Sequence, residues 1–244
     1  LEAVPWFVSS VRSSRLRLAS DAIFPSDEVN DSALRRTRIK FCGFTRAEDL
    51  AEAVALGVDA VGLIMVPASP RAVTLEKAVA LKAAVPPFVS SVVLLRNPDA
   101  ALVHEVLRTI RPSLLQFHGE ETAEFCASFG HPYLKAIAMQ KQTRSLAEIA
   151  HDYASAAALL LDGHAPGGLG GQGVAFDWAL ATQSIRLPVM LAGGIRPDNV
   201  ATAIAAARPF AVDVSSGIEA APGEKDSGKM RAFAREVRRA DQLS

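Results

Sequence analysis

Short strand-like runs recur about every 25 residues from Arg38 onward, and an amphipathic segment separates most of them. No other feature limits the possible folds so strongly. The runs are RIKFC (38–42), AVGLIM (60–65), VSSVVLL (89–95), SLLQF (113–117), YLKAIA (133–138), ALLLD (158–162), PVMLA (188–192) and AVDVS (211–215). Between them lie AEDLAEAVAL, LEKAVALKAA, DAALVHEVLRTI and DNVATAIAAA, with apolar residues at i, i+3 and i+4. The polar-faced EKDSGKMRAFAREVRRADQ closes the chain as a terminal helix. Eight strands, each followed by a helix, predict the α/β class and a single (β/α)8 barrel. An open doubly wound sheet is the alternative, but it carries roughly five or six strands.

Composition narrows the function classes. Half of the 244 residues are hydrophobic and 21% are charged, the profile of a globular chain long enough for one barrel. The 26 basic and 26 acidic residues balance, which gives no footprint for nucleic acid. No apolar run approaches the ~18 residues of a membrane span. Two cysteines, Cys42 and Cys126, make no disulfide framework, and the Cys/His spacing is not that of a metal motif, so a cytoplasmic setting is expected.

Residues 1–36 stand apart. They have no clear period, and their first half is rich in Arg and Ser with Glu2 as its single acid. That composition loosely matches an organelle transit peptide. The plainer readings are a disordered extension, a remnant of expression cloning or a misplaced start. The segment is expected to carry no chemistry, with the barrel domain over 37–244.

In such a barrel, chemistry sits at the C-terminal ends of the strands. Strand one ends at Cys42. Strand alternation puts Arg38, Lys40 and Cys42 on one face, and Ile39 and Phe41 on the other. A free thiol titrates near ~8.5 and is a poor base at neutral pH. Lys40 is the cation expected to lower that value. Strand four places Gln116 and His118 on one face, and strand six ends in Asp162 before a glycine-rich loop. Arg71 follows Pro70 in a turn after strand two, where a planar guanidinium suits a carboxylate. After strand seven, Gly193 and Gly194 allow close backbone approach to an anion, and Pro197 marks a helix start. Ser215, Ser216 and Gly217 after strand eight cap a short helix aimed at the same anion. Cys126 reads as core. A thiol and a carboxyl above a phosphate cup fit proton transfer on a phosphorylated small molecule, with no cofactor and no metal.

In order, KFCGFTRAEDL, DAVGLIMVPASPRAV, LLQFHGEE, LLLDG…GGQGVAFDW, LAGGIRPDNV and VDVSSGIEAAPGEKD resemble the successive motifs of the phosphoribosylanthranilate isomerases, over about residues 37–240. The resemblance implies a barrel that performs an Amadori rearrangement in tryptophan biosynthesis. It implies Asp162 as general acid and Cys42 as general base. It further implies Arg71 on the anthranilate carboxylate, His118 in the pocket lining, and Gly193, Gly194, Ser216 and Gly217 as the phosphate cup. Asp213, inward on strand eight, is expected to partner Lys40 or a ribose hydroxyl. The chain departs from the family pattern at Gln172, where a small hydroxyl residue is usual, and at Arg96, an unexpected charge near the rim.

Cys42 in place of an aspartate argues against the histidine-pathway isomerases, and metal-ligand residues expected of epimerase-like barrels are missing. A catalytically silent barrel is the rival of another class. The expected partner is a phosphorylated small molecule, with neither nucleic acid nor membrane, and the chain is expected to be a monomer or homodimer.

Overall fold

A computed structural model describes residues 36–165, 176–182 and 185–243, all within the compact unit Ala33–Ser244. Eight parallel strands close on themselves: β1 (Arg38–Cys42), β2 (Ala60–Ile64), β3 (Ser90–Leu95), β4 (Leu114–Phe117), β5 (Tyr133–Ala138), β6 (Ala158–Asp162), β7 (Val189–Leu191) and β8 (Ala211–Val214). Closure comes from β1 pairing with β8, in a register that sets Lys40 opposite Asp213. All eight expected strands are present, with ends within two residues.

The helices are α1 (Ala47–Ala55), α2 (Leu75–Ala83), α3 (Ala100–Thr109), α4 (Ala123–Ala127), α5 (Leu146–Asp152), α6 (Val200–Ala207) and α7 (Ser227–Gln242). Local chemistry sets their starts. Thr74, Asp99, Thr122 and Asp226 accept a backbone N–H of the first turn, and Ser145 forms a capping box with Glu148.

Three helix expectations need correction. No α-helix lies between β6 and β7 among the described residues; a 3-10 helix, Trp178–Thr182, stands there. Residues 166–175 and 183–184 of that connection lie outside the described residues. The terminal helix starts at Ser227 rather than Glu224, because Glu224–Lys225 (β10) pairs antiparallel with Glu219–Ala221 (β9) and Asp226 then caps. Pro197 sits in a turn, and α6 begins three residues later at Val200. Here Asn199 Oδ1 accepts from the Arg196 N–H while its Nδ2 donates to the Gly194 carbonyl.

Alternation divides the apolar residues into two compartments. Ile39, Phe41, Leu115, Phe117, Leu159 and Leu161 face outward into the layer beneath the helices. Phe41 meets Phe233 of α7 edge-on at 5.7 Å. Each such fully buried side chain contributes about 1.5–3 kcal/mol. Inside the barrel, Val92, Leu134, Ala136, Leu160 and Met190 fill the lower half, and Cys42, Ile64, Val66 and Leu94 form a small group at the top. Arg38 stacks on Phe210, 4.0 Å from its ring centre. Among the described residues, no helix is long and apolar enough to cross a membrane.

Candidate active site

A cavity of about 680 Å³ opens at the C-terminal end of the strands. Its lining includes Cys42, Arg71, His118, Asp162, Gly193, Gly194, Asp213 and Ser216, so eight of the nine expected site residues meet in one place. Gly217 is not in the lining. A Cβ there would come within 2.2 Å of the Ile195 carbonyl, so its missing side chain serves packing. The Gly170–Gly173 loop with Gln172 lies outside the described residues, as do residues 1–35. Arg96 lines the cavity rim.

The Cys-Gly pair at the end of β1 has a steric explanation. Gly43 adopts φ +81°, and a Cβ on it would crowd Arg71 and Ser215, so the chain turns tightly just beyond the thiol. Cys42 pairs in register with Gly62 of β2, where a Cβ would lie 2.5 Å from Sγ. Glycine therefore makes the space the thiol occupies, a role that alternation alone does not reveal.

Lys40 lies one pleat below, fully buried, and donates to Asp213 Oδ1 at 2.8 Å. Of the two partners expected for Asp213, Lys40 is in contact, and Asp213 also lines the cavity. Burial alone would strip the charge from Lys40, but Asp213 raises its pKa, so the cation persists. The expected lowering of the Cys42 pKa is overturned in its net direction. Burial pushes the thiol up, and although Lys40 and Lys225 pull it down, Asp213 adds to the rise. A thiolate surrounded by low-polarity atoms loses more solvation than these cations return.

Arg71 is buried and held bidentately by Glu219, with Nε at 2.8 Å from Oε1 and Nη2 at 2.7 Å from Oε2. Nη1 has no partner among the described residues. Glu219 also accepts from Lys225 Nζ at 2.8 Å, and Lys225 donates to the Cys42 carbonyl at 2.6 Å. Burial opposes the Glu219 charge, but Arg71 and Lys225 hold its pKa below the usual carboxylate range. Neither Glu219 nor Lys225 was singled out from the sequence. The signal available was two opposite charges in GIEAAPGEKD, at the barrel mouth yet beyond the last strand.

Asp162 ends β6, buried, between two imidazoles. His118 Nε2 is 3.3 Å and His164 Nδ1 is 3.5 Å from Asp162 Oδ2, and the rings stack with centres 5.0 Å apart. Gln116 Nε2 lies 2.9 Å from His118 Nδ1 and orients that ring. Burial favours the neutral acid, yet the two histidines outweigh it and keep the carboxyl well below its ordinary value. Sequence reasoning missed His164, which follows strand six by two residues.

Gly193 and Gly194 both have positive φ, 74° and 68°, and a Cβ on Gly193 would come within 2.2 Å of the Gly163 N. Opposite them, Ser216 opens a 3-10 helix of three residues, Ser216–Ile218. The Ser215 hydroxyl makes no cap; it is buried without a partner.

A closed eight-stranded parallel barrel whose mouth holds a cavity lined by a thiol and a carboxyl, with glycine and serine turns after the last two strands, belongs to the (β/α)8-barrel class. Within that class, the family model described as N-(5'-phosphoribosyl)anthranilate (PRA) isomerase matches residues 39–236. The N-(5'-phosphoribosyl)anthranilate isomerase of Stenotrophomonas maltophilia strain R551-3 is 54% identical over 207 residues, covering 84% of this chain and 95% of that relative. The crystal structure of phosphoribosyl anthranilate isomerase from Thermus thermophilus superposes with a TM-score of 0.74 at 37% identity, covering 83% and 99% of the two chains. A further isomerase structure, solved with reduced 1-(o-carboxyphenylamino)-1-deoxyribulose 5-phosphate, gives 0.71 at 33% identity, covering 83% and 98%. The chain belongs to the phosphoribosylanthranilate isomerase family and is an isomerase of tryptophan biosynthesis.

Proposed function

We propose that this chain converts N-(5′-phosphoribosyl)anthranilate to 1-(2-carboxyphenylamino)-1-deoxyribulose 5-phosphate with Asp162 as general acid and Cys42 as general base. The observation that carries the reading is the thiol and the carboxyl on the rim of one cavity, with glycine turns between them. Asp162 gives its proton to the furanose ring oxygen, the C1′–O bond breaks, and the ring opens to an iminium. The Cys42 thiolate then removes the C2′ proton, and the electron pair moves to the iminium nitrogen to give an enolamine. Tautomerisation of the enolamine places the ketone at C2′.

The resting protonation states are the reverse of those the two roles begin with. Burial favours the thiol, and the histidines favour the carboxylate. The two roles begin once one proton passes from the Cys42 thiol to the Asp162 carboxylate: the substrate's phosphate and carboxylate favour the protonated Asp162, and Lys40 and Lys225 stabilise the thiolate left behind. The remaining Nη1 of Arg71 is assigned to the anthranilate carboxylate, with Glu219 and Lys225 keeping the guanidinium plane fixed. Gly193, Gly194, Ser216 and the Gly217 backbone are assigned to the phosphate, and His118 to the lining beside Asp162. Asp213 acts through Lys40.

Catalysis belongs to residues 37–244, in the cytoplasm, with a phosphorylated small molecule as the partner of the site. One neighbouring isomerase is described as dimeric with monomeric variants; for this chain we infer a monomer or homodimer. The test is loss of substrate fluorescence, with the labile substrate generated in situ. Turnover by the intact protein is expected, with a fall of about 10² or more in Cys42→Ser and in Asp162→Asn. A folded intact protein without turnover that still binds a product analogue would mean a silent barrel.

A further inference from the structure

Two imidazoles stand against the Asp162 carboxyl. Among the described residues, His118 Nε2 and His164 Nδ1 are each buried without a hydrogen-bond partner, although Asp162 Oδ2 lies 3.3 and 3.5 Å away. Both nitrogens approach the oxygen closely, but the ring orientations fall outside hydrogen-bond geometry. Two imidazole nitrogens and a carboxylate oxygen within 4.8 Å of one another become the donor set of a metal ion once both nitrogens give up their protons, as ligands must. Ligands at about 2.0–2.1 Å in a tetrahedron stand about 3.3–3.4 Å apart, which is close to both nitrogen–oxygen separations here.

We propose that His118, Asp162 and His164 form a binding site for a divalent transition cation, with Zn2+ the best match to two imidazoles and one carboxylate. Mg2+ and Ca2+ prefer an all-oxygen shell and are not expected to compete. Gln116 supports the first ligand. Its amide contacts His118 Nδ1 at 2.9 Å, while its Oε1 is buried without a partner. A half-turn of the amide puts that oxygen on Nδ1–H, the outer-shell acceptor that a ligating imidazole uses. An entry path exists apart from the substrate cavity. A second cavity of about 700 Å³ is lined by His118, His164, Gly119 and Lys135, so the cluster lies where the two cavities adjoin. Asp162 is the last residue of β6, His118 follows β4 directly, and His164 comes from the loop after β6. One consequence rests on the assignment of Asp162 as the acid: a carboxylate bound to metal cannot deliver a proton, so the ion inhibits the isomerase.

The experiment titrates untagged full-length protein with Zn2+ against a chromophoric chelator, and separately with Co2+ while visible absorption is recorded. Expected are one ion per chain, intense Co2+ bands of tetrahedral type, and affinity weakened about tenfold or more in His164→Gln and Asp162→Asn. Cys42→Ser and a large excess of Mg2+ are expected to leave binding intact. Circular dichroism checks that each variant is folded. The proposal is overturned by absence of stoichiometric binding, by unchanged affinity in folded His164→Gln, or by loss of binding in Cys42→Ser. Should His164→Gln fail to fold, the unaltered protein still decides. A thiolate-to-Co2+ charge-transfer band, meaning that Cys42 is the ligand, refutes the site, and tetrahedral bands without it support the site. Stoichiometric binding without loss of turnover would count against Asp162 as the acid while leaving the metal site standing.

Discussion

Two lysines are buried in adjacent layers of this barrel, and they differ in what their charge can reach. Lys40 points inward from β1, pairs with Asp213, and sits beneath the Cys42 thiol. Lys135 alternates with Leu134 and Ala136, which face the barrel interior, so it points outward from β5. It pairs with Glu121 at 2.9 Å and donates to the Gly119 carbonyl at 2.6 Å. Glu121 in turn accepts from the backbone N–H groups of Asn97 and Gly119, which ties the loops after β3 and β4 together. The outer pair is the more enclosed of the two, with its side chains 3% and 2% exposed, whereas Asp213 is 10% exposed to the active-site cavity. The same ion pair is a structural knot on one face of the sheet and a charge source for chemistry on the other.

Four substitutions sharpen that contrast. Glu121→Leu should cost the most stability, roughly 3–5 kcal/mol in urea denaturation, because it strands a buried cation and two backbone donors. A loss under about 1 kcal/mol would mean water reaches Lys135 and the pair is not sealed. Lys135→Met is the milder partner of this test, at about 1–3 kcal/mol, since the carboxylate keeps its backbone donors. If the two losses were equal, the loop tie would contribute nothing.

Lys40→Met acts on chemistry instead. Burial already holds the thiol above its ordinary value, and removing the cation while Asp213 remains pushes it higher. The pH midpoint of Cys42 alkylation should therefore sit above the ordinary thiol value and move further up in the variant. Cys126, pushed up to about 12 by burial, stays out of that range. The raised thiol also means that its contribution to stability is present below the unfolded thiol value and fades as pH climbs toward the folded one. An unmoved midpoint in Lys40→Met would separate Lys40 from the base. Smallest is Ser145→Ala, which removes the capping box of α5 and should cost about 1 kcal/mol with turnover unchanged. A change in turnover there would show that the rim beyond β5 reaches the site.

Much of this was legible in advance because a barrel strand carries its own signal. Alternation in RIKFC and LLQFHG is local, and Ile39, Phe41, Leu115 and Phe117 all face the outer layer as expected. Cys42, Asp162 and the paired glycines follow from the rule that chemistry collects at strand ends. Glu219, Lys225 and His164 obey no such rule. They lie in loops, where no periodicity fixes side-chain direction, and their partners are 148, 183 and 46 positions removed or lie across the barrel mouth.

The sequence by itself determined the order of the eight strands, the closed sheet, the outward and inward faces, and the meeting of a thiol with a carboxyl in one cavity. Each of these depends on a repeat of two, of 3.6 or of about 25 residues, and a repeat is written along the chain. Only the tertiary structure decided the sign of the Cys42 shift, the grip of Glu219 on Arg71, and the enclosure of Asp162 by two imidazoles. Those depend on burial and on ångström separations between groups from different strands. Desolvation and Coulomb attraction oppose each other there with comparable size, so distance alone settles which of them wins.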